Sequence, residues 1–128
     1  MSKAPVPTEM EFQQKSRQLD ITFEDGEHFE LSYEFLRVYS PSAEVRGHTP
    51  EDEVLQYGKA GVNVEHVEPI GTYAVALRFD DGHDTGIYSW EWLHYLGTNQ
   101  EKLWNEYLLK LEIAGKKRFP DETESQTH

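Results

Sequence analysis

The chain has 128 residues, the size of one ordinary domain, with 24 Asp and Glu against 12 Lys and Arg and a net charge of −12. That balance repels phosphate backbones and anionic lipid, which argues against nucleic acid and membrane surfaces as partners. There is no cysteine, so disulfides, zinc–thiolate sites and thiol nucleophiles are excluded, while 3 Trp, 7 Tyr and 6 Phe supply material for a core.

Residues 1–13 carry Pro5 and Pro7 and few apolar groups, and read as a disordered lead-in without the apolar run of a signal peptide. From Ser16 to Phe23 the pattern alternates, with Leu19, Ile21 and Phe23 on one side, the period of a half-buried strand. Asp25-Gly26 is a turn signal, and Phe29 and Leu31 continue the alternation, which predicts a β-hairpin. Ser32 can cap a short helix in which Phe35, Leu36 and Tyr39 share a face, before Pro41 stops regular structure. Ser40 to Lys59 is polar, rich in turn formers and the longest irregular segment, the kind of loop that often carries function.

Val62, Val64 and Val67 open a second β region, and Tyr73, Val75, Leu77 and Phe79 alternate on one face of the next strand. Asp80 to Asp84 reads as a turn and Thr85 to Tyr88 as a last strand, completing a three-stranded meander. Ser89 caps a helix with Trp90, Leu93 and Leu96 at helical spacing, ended by Gly97. Asn99 caps a second, through Ile113, with Leu103, Trp104, Tyr107, Leu108 and Leu111 on one stripe. No internal repeat is visible, and residues 119–128 read as a disordered tail. The expectation is a single α+β domain over residues 14–118: a small, mainly antiparallel sheet, made of a hairpin plus a meander, packed with a short helix and C-terminal helices.

Phosphate loops, nucleophile elbows and His-Glu-x-x-His pairs are missing, so no catalytic motif is present in the linear sequence. Three groups of residues merit attention. In the long loop, Arg46 offers a fork for a carboxylate or phosphate and His48 a titratable nitrogen, against the plainer reading in which Ser40 and Ser42 satisfy backbone groups. In the turn, Asp81, His83 and Asp84 could ligate a divalent ion, against the plainer reading that Asp and Gly serve turn geometry. The aromatic set Tyr88, Trp90, Trp92, Tyr95, Trp104 and Tyr107 suits a core, with one Trp left for a recognition surface.

Leu36 to His48, Gly71 to Val75 and Asp81 to Trp90 together resemble the DUF971 family, also called the γ-butyrobetaine-hydroxylase-like N-terminal domain. The resemblance runs from about Leu19 to Leu111. It implies a small α+β module that stands alone, precedes the oxygenase domain of carnitine-synthesis hydroxylases, or is appended to scaffold proteins of iron–sulfur assembly. In the hydroxylases a structural zinc sits on a Cys-x-Cys-x-x-Cys loop and a later histidine. The matching positions here are Ser40, Ser42, Val45 and His83, so three of the four ligands are replaced and a tight zinc site is not expected. The oxygenase chemistry does not carry over, since its domain would follow this module.

The resulting expectation is a cytoplasmic, non-catalytic binding module linked to iron or iron–sulfur metabolism. It would work through a protein partner carrying basic groups, as a monomer or weak homodimer and without a cofactor. Arg37, Ser40, Ser42, Arg46, His48 and Trp90 form the expected binding corner. The alternative is a metal carrier or small metal-dependent enzyme holding iron or zinc on His83, Asp81 and Asp84.

Overall fold

A computed structural model describes residues 5–47 and 53–120. Strands β1 (Pro7–Gln13), β2 (Gln18–Phe23) and β3 (His28–Ser32) form one antiparallel sheet in that order, followed by helix α1 (Tyr33–Val38) and the single turn α2 (Ala43–Arg46). Strands β4 (Val64–Ile70), β5 (Ala74–Phe79) and β6 (Gly86–Ser89) form a second, followed by α3 (Trp90–Thr98) and α4 (Gln100–Ala114). The α+β class holds, with the strands divided between two three-stranded sheets.

The alternating side chains do what their period requires: Leu19, Ile21, Phe23 and Leu31 from one sheet meet Val75, Leu77, Phe79 and Tyr88 from the other in a shared core, closed by Leu36, Leu93, Leu96, Leu103 and Tyr107. Tyr73 lies outside β5 and is exposed, and so is Leu108 on α4.

Several expectations are corrected. Residues 7–13 are not a loose lead-in but edge strand β1, paired along β2 from Gln13↔Gln18 to Pro7↔Phe23. Pro7 misled because its missing N–H is harmless at the first residue of an edge strand. Residues 1–4 and 121–128 lie outside the described residues. Gly97 does not end α3, which runs on to Thr98. Its role is close approach, since a Cβ there would sit 2.3 Å from the Phe29 ring. Asn99 precedes α4 without a side-chain cap bond, its amide donating back to the Tyr95 carbonyl.

The chain also contains a repeat that the sequence alone did not disclose: each half is three strands and a helix. Phe23-Glu24-Asp25-Gly26 corresponds to Phe79-Asp80-Asp81-Gly82, and Ser32-Tyr33-Glu34-Phe35-Leu36 to Ser89-Trp90-Glu91-Trp92-Leu93. The local hydrogen bonds match. Gly26 N–H donates to Phe23 O at 2.9 Å and Gly82 N–H to Phe79 O at 3.0 Å. Glu27 N–H donates to Asp25 at 3.0 Å and His83 N–H to Asp81 at 3.1 Å. Ser32 and Ser89 cap their helices through Phe35 N–H and Trp92 N–H. Contacts between the halves are reciprocal, as a two-fold axis requires. Asp25 of the first half pairs with His94 of the second at 3.0 Å, and Asp81 of the second with Arg37 of the first at 2.9 Å.

Candidate functional site

The corner singled out in the sequence forms where α1 and α2 meet the β5–β6 turn. Helix α1 delivers Arg37 and, just past its end, Ser40; Ser42 caps α2 through Glu44 N–H at 3.1 Å. Gly82, at φ 93°, allows the tight turn that presents His83, whose carbonyl accepts from Phe79 N–H at 2.9 Å. Gly86 makes room for Ser40: a Cβ on it would lie 2.7 Å from Ser40 Oγ.

Hydrogen bonds tie this corner together, and a His83–Glu44 contact at ion-pair distance closes it into a ring. Ser40 Oγ lies 2.9 Å from His83 Nε2 and accepts from Ser42 N–H at 3.2 Å. His83 Nδ1 lies 3.3 Å from Glu44 Oε1, which also accepts from Thr85 Oγ1 at 3.2 Å, and Thr85 Oγ1 lies 2.6 Å from Ser42 Oγ. A carboxylate only accepts, so Thr85 gives its proton to Glu44 and Ser42 donates to Thr85. Ser40 Oγ and His83 Nε2 share one hydrogen bond whose direction follows the imidazole tautomer. Burial lowers the His83 pKa and the Arg37 charge adds to this, with Glu44 and Asp81 opposing, which favours the neutral imidazole.

Asp81 braces the turn from below. Its carboxylate accepts from Arg37 Nε at 2.9 Å, Lys59 Nζ at 2.6 Å and His83 N–H at 3.1 Å. Burial alone would raise its pKa, but the Lys59 bond, the His83 N–H and the Arg37 charge outweigh that and hold it at about 2.

Serine hydroxyl, imidazole and carboxylate follow one another here in the order of an acyl-transfer triad. The hydroxyl is nevertheless out of reach: Ser40 is 0% exposed, already accepts a backbone N–H, and faces Gly86 at closest packing. The arrangement ties chain segments together and offers no position for a substrate carbonyl.

The exposed side of the corner is aromatic and charged. Arg46 places its guanidinium over the Tyr39 ring at 5.5 Å and pairs with Glu53 at 2.8 Å. Trp92 donates its indole N–H to the Tyr39 carbonyl at 2.9 Å and stacks on Tyr95 with 5.3 Å between ring centroids. Tyr95 is 44% exposed. Trp90 turns away, its indole N–H bonded to Thr72 O at 2.8 Å.

A family model described as γ-butyrobetaine hydroxylase-like, N-terminal, matches residues 10–94. The chain belongs to this family. A solution NMR structure 45% identical to this γ-butyrobetaine hydroxylase-like N-terminal domain covers 93% of it and 94% of its own chain, with a TM-score of 0.80. A second solution structure is 51% identical over 94% of this chain and 89% of its own, also at 0.80. A crystal structure of a DUF971-family protein of unknown function from Acidithiobacillus ferrooxidans is 36% identical over 76% of this domain and 98% of its own chain, at 0.62. No curated protein matches.

The zinc that the family resemblance implies does not fit the donors present. Ser40 and Ser42 are hydroxyls engaged in the ring, and Val45 is apolar and 1% exposed, so His83 is the one conventional ligand among those four positions. Asp81 is committed to Arg37 and Lys59, and Asp84 is exposed. Among the described residues the one cluster of three convergent metal-ligating side chains is elsewhere, at Asp20, His28 and Glu30. Of the expected binding residues, Arg37, Ser40 and Ser42 are buried, Arg46 and Trp90 are partly exposed, and His48 lies outside the described residues. Sequence reasoning did not assign Glu44, Thr85 or Lys59 to the corner, nor Trp92 and Tyr95 to its surface. Glu44 and Thr85 lie inside the two family segments, and that was the available signal.

Proposed function

We propose that this domain is a non-catalytic, cytoplasmic binding module that docks a protein partner bearing basic groups on the surface formed by Arg46, Trp92 and Tyr95. The supporting observation is the stack of Trp92 and Tyr95 beside Arg46, all braced on Tyr39 and the closed corner behind it. Arg, Trp and Tyr on a rigid support are the residues that most often dominate binding energy at interfaces. The charge of −12 favours a cationic partner. Family company suggests iron or iron–sulfur metabolism as the setting, and the partner's identity decides that part.

The test is affinity capture by the full chain with mass-spectrometric identification, followed by titration against the purified partner. Arg46→Ala and Tyr95→Ala should each weaken binding at least tenfold while leaving the circular dichroism spectrum unchanged. Equal affinity in both variants overturns the docking surface. Metal that co-purifies with the parent and disappears in His83→Ala would instead make metal handling the function.

A further inference from the structure

The outer face of the first sheet carries a feature that the fold does not require. Cross-strand register aligns Glu11, Asp20 and Glu30 in one row over β1, β2 and β3, each directly opposite the next. Like charges placed this way destabilise a sheet. Among the described residues, none of the three forms an ion pair with a Lys or Arg. The second half of the chain provides an internal control, for its corresponding row is Glu68, Ala76 and Ile87. The same architecture therefore stands with one carboxylate where the first sheet has three.

His28 lies two residues before Glu30 on β3, on the same face, and its ligating nitrogen and one oxygen each of Asp20 and Glu30 all lie within 4.8 Å of one another. Residues outside the trio orient it. Thr22 Oγ1 holds His28 Nδ1 at 2.8 Å, and the Gln13 and Gln18 amides donate one bond each to the two Asp20 oxygens, both at 2.8 Å. Such outer bonds fix ligand direction and leave each Asp20 oxygen a free lone pair.

We propose that Asp20, His28 and Glu30 bind a divalent first-row transition cation on the outer face of the first sheet, remote from the His83 corner. One imidazole and two carboxylates suit a borderline ion such as zinc, with water completing its coordination. Two ligands at alternate positions of one strand and a third directly across leave the open side towards solvent. The cation would offset two of the three negative charges in the row that the protein itself leaves uncompensated.

The test titrates zinc into the full chain near pH 7.5, followed by calorimetry and by amide chemical shifts. One saturable site is expected, with shifts centred on Asp20, His28 and Glu30. His28→Ala and Glu30→Gln, both exposed positions, should each weaken it at least tenfold, and His83→Ala should leave it unchanged. Absence of saturable binding, unchanged affinity in His28→Ala and Glu30→Gln, or shifts centred on another region overturns the proposal.

Discussion

Replacing Ser40 by Ala removes one oxygen from the corner and strands two partners. Ser42 N–H and His83 Nε2 both reach Ser40 Oγ, at 3.2 and 2.9 Å, in a position that is 0% exposed. Leaving a buried polar group without its partner costs about 1–3 kcal/mol. The volume lost is that of one oxygen, so the cavity term is small, and the expected total is about 2–4 kcal/mol. With a urea m-value of about 1–3 kcal/mol/M, the unfolding midpoint should fall by about 1–2 M. The mechanism shows itself in a double-mutant cycle. His83→Ala should cost about 1 kcal/mol less in the Ser40→Ala background, where the stranded imidazole nitrogen disappears with the ring. Additive losses, agreeing within about 0.3 kcal/mol, would refute the Ser40–His83 hydrogen bond.

Gly86→Ala should destabilise by about 1–3 kcal/mol, because its Cβ would stand 2.7 Å from Ser40 Oγ and 3.0 Å from the Tyr88 ring; thermal melts check this. Gly97→Ala gains about 1 kcal/mol of helix propensity but drives a methyl to 2.3 Å from the Phe29 ring, so a melting temperature above the parent's would contradict the packing. Asp81 has a folded pKa of about 2 against an ordinary 3.8, so its contribution is complete above pH 4 and is lost as the pH falls towards 2. After discounting for solvent screening the linkage is worth about 1 kcal/mol, and Asp81→Asn should flatten that limb of a stability–pH curve measured by urea titration.

What the sequence disclosed tracks how local each determinant is. The alternation of Leu19, Ile21 and Phe23, the Asp25-Gly26 turn, and the caps at Ser32 and Ser89 are set by neighbours within a few residues, and each appears as expected. β1 was missed because Glu9 and Glu11 point outward from an edge strand that pairs, among the described residues, with β2 alone, leaving a weak apolar period in Met10 and Phe12. At the corner, the family segments brought Ser40 and His83 together across 43 residues, but direct bonding through Glu44 and Thr85 depends on side-chain geometry that spacing does not encode. The reading of Gly97 as a helix stop failed for a related reason: a ring 68 residues away in sequence demanded the glycine, as a Cβ there would meet Phe29.

The internal repeat explains how this corner closes without the thiolates that the family resemblance implies. Ser40, just past α1, and Gly97, in the last turn of α3, occupy equivalent sequence positions, and each packs on the equivalent residue of the other half, Gly86 and Phe29 respectively. At each crossing one partner is glycine and the other carries the side chain, so the sum of sizes is what the fold constrains. The turn aspartates act likewise, with Asp81 drawn to Arg37 and Asp25 to His94. The Asp25 corner reaches this closure with an aromatic wall, His94 lying 4.9 Å from the Phe23 ring and 5.7 Å from the Phe29 ring. Since reciprocal ties already hold each helix to the opposite turn, a metal at the Ser40 corner would be a local addition to a joint the two halves make for themselves. His83 needs a polar partner in this corner, which Ser40 supplies by a hydrogen bond and Glu44 by a nearby carboxylate that Thr85 holds in place.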